Sequence, residues 1–170
     1  PRQNVDAPHT PWRQSPSTQE PTASQAPTVI DTVELGAAID TSDAVFASAA
    51  DRGTILHLAF RVLTNQPNLS EQLVAATGLA PKVIYEIATQ AEILRNRLAA
   101  EGYDQLHFEL PVQEIRPDGS QTNAIIDCLA EGPDGFLILD HKSGPCPDPE
   151  ARFHTYLPQL RSYAQLMALT

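Results

Sequence analysis

The sequence predicts an α/β domain, a small mixed β-sheet flanked by helices. Apolar residues recur at helical spacing from Thr41 to Gly102. Short strand-like stretches punctuated by Pro-Asp-Gly turns follow up to Asp140. Helical spacing then returns in "YLPQLRSYAQLMAL" near the C-terminal end. Strands gathered between helical segments give one layered domain, and an apolar fraction of 42% over 170 residues suffices for its core.

Residues 1–28 stand apart. Residues 1–27 hold six of the fifteen prolines and much Ser, Thr and Gln, a composition that buries too little surface to offset its ordering entropy. They are expected to form a disordered linker or arm ahead of a domain over residues 29–170. From Thr41 the pattern is helical, with Thr41, Ser42 and Asp43 as cap residues and Val45, Phe46, Ala49, Ile55, Leu56, Ala59, Phe60 and Leu63 as the apolar stripe. A second helix opens at Ser70 and stops at Gly78. A third opens on Pro81 and runs through Val83, Ile84, Ile87, Leu94 and Leu98 to Gly102. Strands are expected at 105–112, 121–131 and 136–140, joined by the turns "PDGS" (117–120) and "GPDG" (132–135). In the last helix Pro158 either starts the element or kinks it.

Charge and composition exclude several function classes. The net charge is −10, and the first 27 residues carry two basic and two acidic side chains, so the whole excess lies on the folded part. Backbone binding to nucleic acid normally rests on Lys and Arg. An acidic domain must bind weakly, carry cations in its site, or borrow affinity from a partner. No apolar run approaches the ~18 residues of a membrane span, and none has the pattern of a signal peptide. Cys128 and Cys146 are the two cysteines, too few for a disulfide framework or an iron–sulfur cluster. A cytoplasmic setting without membrane contact is expected. The chain begins at Pro1 and is expected to be a piece of something longer, with a closing helix beyond its last motif.

The stretch "FLILDHKSG" (136–144) carries the chemistry. Asp140 and Lys142 lie on one side of a strand end. A surface ion pair is one reading, and such pairs contribute little. The other follows from register. If Pro133 and Asp134 form a two-residue hairpin loop, residues whose numbers sum to 267 face each other, and Asp127 faces Asp140. A three-residue loop with a bulge would slip that register. Facing carboxylates repel, and a divalent cation with oxygen ligands relieves the repulsion. Asp127 and Asp140 would then hold Mg²⁺, with Mn²⁺ substituting. Lys142 would orient or deprotonate an attacking water and neutralise a phosphorane-like transition state. His141 points to the other face, with only its backbone carbonyl in reach of the metal. His57, one turn after Gly53, is either a nitrogen ligand or a half-buried helix histidine.

At these residues the sequence resembles a family. Asp127, twelve intervening residues, and then "DHKS" (140–143) look like the core of the PD-(D/E)XK nucleases. "RGTILH" (52–57) resembles the Gly-Thr-x-x-His helix of the RecB/AddA branch, "FELP" (108–111) its Glu-bearing strand, and "YLPQLRSY" (156–163) its Tyr-x-x-Gln-Leu-x-x-Tyr helix. The ordered motifs span most of the folded part, and the AddA-like nuclease domain of a UvrD-type helicase is the nearest likeness. Three positions depart from the pattern. His141 stands for the usual aromatic residue, Ser143 for the following Thr, and Asn123–Ala124 for a Gly often found before the first aspartate. The four-cysteine staple of AddB-like relatives is absent.

The resemblance implies a restriction-endonuclease-like core and a Mg²⁺-dependent deoxyribonuclease, an exonuclease working in double-strand-break repair and recombination. It implies that His57, Asp127 and Asp140 ligate metal, that Lys142 is catalytic, and that Gln159 and Tyr163 contact the scissile strand, with Arg161 nearby. Glu109 matches an acid of less defined role, equally readable as a strand-end surface acid. Tyr156 reads as helix packing. The implied partners are single-stranded DNA delivered by a linked helicase and a second subunit of an AddAB/RecBCD-like complex. The alternatives are a stand-alone nuclease of the same family, and a catalytically silent nuclease fold that binds DNA or a partner.

Overall fold

The computed structural model describes residues 13, 14, 33–144 and 146–168. Apart from Arg13 and Gln14, the stretch expected to be a disordered arm lies outside the described residues. Arg13–Gln14 forms a two-residue strand, β1.

The first helix, α1, spans Ala49–Asn65, later than the Thr41 start expected from sequence. Ser48 is its cap: its Oγ accepts from the Asp51 N–H at 3.0 Å, while Asp51 Oδ2 reaches back to the Ala47 N–H at 3.1 Å. This reciprocal arrangement satisfies two orphan donors. The earlier polar residues make a turn instead, with Asp40 Oδ1 accepting from the Ser42 N–H and Thr41 C=O from the Ala44 N–H. Val45, expected in the apolar stripe, is 98% exposed because it precedes the helix. A short 3₁₀ turn (Pro67–Leu69) leads to α2, Ser70–Thr77, which ends at left-handed Gly78. The third helix, α3, spans Pro81–Ala100. Leu56, Ala59 and Leu63 of α1, Leu73 of α2, and Val83, Ile84, Ile87 and Ala91 of α3 bury against one another around Leu79.

The sheet follows. β2 spans Gln105–Ile115, β3 Gln121–Gly132 and β4 Gly135–Leu139. β2 runs to Ile115, three residues past the expected end, because "QEI" continues the pairing with β3. β3 is central, with β2 antiparallel along one edge and β4 antiparallel over its C-terminal half. β1 lies parallel to Gln121–Thr122, and this alone makes the sheet mixed. The β3–β4 pairs run from Cys128↔Leu139 to Gly132↔Gly135, the two-residue-loop register. Gly132 is required there, since a Cβ would come within 2.8 Å of the Tyr103 ring. The last helix, α4, spans Pro149–Met167 and is capped by Asp148 Oδ1 on the Ala151 N–H at 2.9 Å. It starts a full two turns before Tyr156, so Pro158 lies in its interior and removes one helix hydrogen bond rather than starting the element. Tyr163 of α4 packs with Ile126 and Leu129 on the sheet.

Candidate active site

The site forms where β3 and β4 meet α1 and α4. The ladder ends at Cys128↔Leu139, so the next opposed residues are Asp127 and Asp140. The loop following Asp140 closes onto β3: the His141 N–H donates to Asp127 Oδ2 at 2.9 Å. The Asp140 side chain is only 4% exposed and is held from two directions. Lys142 Nζ lies 2.6 Å from its Oδ2, and Gln159 Nε2 donates to its Oδ1 at 3.2 Å. A buried carboxylate stays in place only when paired and hydrogen-bonded in this way.

α4 supplies one continuous face. Tyr156, Gln159 and Tyr163 follow at three- and four-residue spacing and share a helix side. The Tyr156 ring lies 5.0 Å from Lys142 Nζ, a cation–π contact, so this residue does more than pack the helix. Gln159 Nε2 also donates to Tyr163 Oη at 2.5 Å. A carboxamide nitrogen has two protons; one goes to Asp140 and the other to Tyr163. The tyrosine oxygen is thereby the acceptor, and its own proton is left to donate outward. Burial is the main reason its pKa is raised, which keeps the phenol protonated. Arg161 falls on a different side of α4 from these three residues.

α1 supplies His57, whose Nε2 lies 3.8 Å from both Asp127 Oδ2 and Glu109 Oε1. Glu109 is opposite Asp127, since the flanking pairs are Phe108↔Cys128 and Leu110↔Ile126. It has φ of +51°, the one non-glycine residue with positive φ among the described residues. A left-handed glutamate inside a strand is strained, and here the strain accompanies convergence of the carboxylate on His57. Arg61, one turn after His57, pairs with Glu109 Oε1 at 3.2 Å. His141 does turn away from Asp140, as alternation requires, and stacks on Phe60 with ring centroids 4.8 Å apart. Its pKa falls to about 4, chiefly through burial and then through His57, so the imidazole is neutral near pH 7. Gly53 faces the loop after Asp140: a Cβ there would lie 3.4 Å from Ser143 Oγ.

The structure thus brings together His57, Glu109, Asp127, Asp140, Lys142, Tyr156, Gln159 and Tyr163. Sequence reasoning missed Arg61, Phe60 and Arg152, whose guanidinium donates to the Ser143 and Gly144 carbonyls at 3.0 and 3.1 Å. Arg61 had a signal, its four-residue spacing from His57. The other two depend on tertiary packing alone. Among the described residues no three His, Cys, Asp or Glu side chains close into a ready-made metal cage. Two carboxylates are nevertheless a suitable donor set for Mg²⁺, which keeps several waters and takes its remaining ligands from substrate phosphate.

A sheet of three antiparallel strands between helices, with an acidic pair at the end of its central hairpin, defines a restriction-endonuclease-like α/β domain. The chain belongs to the PD-(D/E)XK nuclease superfamily, whose sequence profile matches residues 32–170. A domain of this superfamily has DNA as its partner class. Comparison with curated proteins finds no match. Among the described residues no helix is long and apolar enough to cross a membrane.

Proposed function

We propose that this domain is a divalent-metal-dependent deoxyribonuclease, the exonuclease part of an AddA/RecB-like helicase-nuclease acting in the cytoplasm on DNA breaks. The observation that carries the nuclease reading is the set Asp127, Asp140 and Lys142, converging at one strand end with Gln159 and Tyr163 beside it. The helicase setting is supported by the order of the sequence motifs and by the acidic charge, which favours a tethered motor that supplies the strand.

Asp127 and Asp140, with His57 beside them, would hold Mg²⁺ or Mn²⁺. The metal supplies Lewis-acid polarisation of the scissile phosphate and a more acidic water. The chain's residues do the rest. Lys142 sits on Asp140 and places its ammonium where negative charge develops in the transition state. Gln159 fixes the Asp140 carboxylate and orients the Tyr163 hydroxyl to donate to a phosphate oxygen. Tyr156 packs against the Lys142 ammonium and narrows its range of positions. Glu109 and Arg61 hold the His57 imidazole against Asp127.

The test is cleavage of end-labelled single-stranded DNA by the chain with Mg²⁺ or Mn²⁺, against EDTA and against Lys142→Ala. Metal-dependent cleavage that Lys142→Ala abolishes supports the reading. Metal-bound but inert wild type, alone and joined to a helicase, would leave the silent-module alternative in its place.

A further inference from the structure

We infer that Arg61 is a positioning residue that sets the metal count: by pairing with Glu109 it withholds a third carboxylate, so the site takes one divalent ion rather than two. This rests on the metal-dependent nuclease reading above. Glu109, Asp127 and Asp140 stand in one row across β2, β3 and β4, since Glu109 lies opposite Asp127 and Asp127 opposite Asp140. The outer two are each held by a cation, Asp140 by Lys142 at 2.6 Å and Glu109 by Arg61 at 3.2 Å. Asp127, between them, accepts from the His141 N–H and faces the His57 ring at 3.8 Å. No Lys or Arg pairs with it among the described residues.

Arg61 is placed to act through Glu109. His57 Nε2 lies 3.8 Å from Glu109 Oε1 and from Asp127 Oδ2, so these two oxygens are at most twice that distance apart. A change of side-chain rotamer would bring Glu109 within ligand reach of a second ion beside Asp127. Arg61 opposes that change. Its Nη1 holds the same Oε1 that faces His57, and the positive φ of Glu109 accompanies a carboxylate turned toward α1. Charge then decides the count. Three carboxylates and two cations, Lys142 and Arg61, leave a formal charge of −1 at the site. One dication carries that to +1, and a second would carry it to +3, at separations where like charges repel strongly. A guanidinium keeps its proton throughout the working pH range, so the second ion is refused at every such pH. Without Arg61 the site starts one charge more negative, and Glu109 is free to become a ligand. Arg61 and Glu109 are both partly exposed, so their pair contributes little to stability, and its loss is felt in metal binding instead.

The experiment counts Mn²⁺ bound per chain from the loss of the free-ion electron paramagnetic resonance signal. Asp140→Ala sets the baseline, since it keeps only ions held loosely by the acidic surface. Above that baseline wild type should hold one ion and Arg61→Ala two. Arg61→Lys, which keeps the charge, should stay at one. The double variant, Arg61→Ala with Glu109→Gln, should also stay at one, because the added ligand is gone. The proposal is overturned by a second ion in wild type or in Arg61→Lys, by a single ion in Arg61→Ala, or by a second ion that survives Glu109→Gln. Should Arg61→Ala fail to melt cooperatively, Arg61→Gln keeps the side-chain stem without the charge and is read in its place, with two ions expected. No ion above the baseline in wild type would strike the metal reading and the proposal with it. One ion in both wild type and Arg61→Ala would leave that reading standing and strike the role of Arg61 alone.

Discussion

The helical half and the sheet half of this molecule are built to different ends. α1, α2 and α3 meet through nine buried residues, from Leu56 to Ala91. The sheet and α4 share a buried cluster of three, Ile126, Leu129 and Tyr163, and one of these is a site residue. The thinner half carries Asp127, Asp140, Lys142, Gln159 and Tyr163, with a nearly buried carboxylate held by a lysine and a carboxamide. The helical half reaches the site through one side of α1, by His57 and Arg61. Apolar burial thus anchors α1, and the polar groups that would otherwise weaken a core gather on the side that has less core to lose.

Substitutions can break this contrast. Lys142→Ala has the largest expected effect: DNA cleavage falls by about 10³-fold or more, while metal binding persists, since an ammonium is no ligand. Residual activity within tenfold of wild type in a gel assay would remove Lys142 from the chemistry. Ile84→Ala, in the middle of the helical cluster and 1% exposed, should cost about 2–5 kcal/mol of stability by urea denaturation. Leu160→Ala, packed at the edge of the sheet cluster, should cost clearly less. Equal losses would mean that the two halves share one core.

Tyr163→Phe sharpens the contrast. It keeps the ring that packs on Ile126 and removes the hydroxyl that accepts from Gln159. The expected loss is about 0.5–1.5 kcal/mol of stability, with a larger fractional loss of cleavage than of single-strand binding. A fall in stability alone would make Tyr163 a packing residue only. At the bottom of the scale, Val45→Ser should change the melting midpoint within about 0.5 kcal/mol, because Val45 is exposed ahead of α1.

Much of this was legible in the sequence. The Pro133–Asp134 loop dictated the β3–β4 register and hence the opposition of Asp127 and Asp140. Pro81 and Gly78 marked helix limits. The start of α1 was misplaced because Thr41, Ser42 and Asp43 have the same cap chemistry as Ser48, and local hydrogen bonding cannot tell a turn from a helix start. α4 began earlier than expected because the Asp148–Pro149 signal lies in a stretch with little apolar periodicity. The "PDGS" turn has three loop residues, Pro117 to Gly119, between Arg116 and Ser120, so the two-residue-loop count that served the other hairpin would have missed Asp127 as the residue opposite Glu109. Its positive φ and the stacking of His141 on Phe60 are tertiary facts with no local signature.

The central claim is that Asp127 and Asp140 form a cation site in the folded protein. Differential scanning calorimetry of wild type and Asp140→Ala, each with and without Mn²⁺, tests it most directly. A ligand bound only to the native state at a hundredfold above its Kd adds about 2.7 kcal/mol. Wild type should therefore melt several degrees higher with Mn²⁺, and Asp140→Ala should lose that increment. No shift in wild type, or an equal shift in Asp140→Ala, would contradict the account.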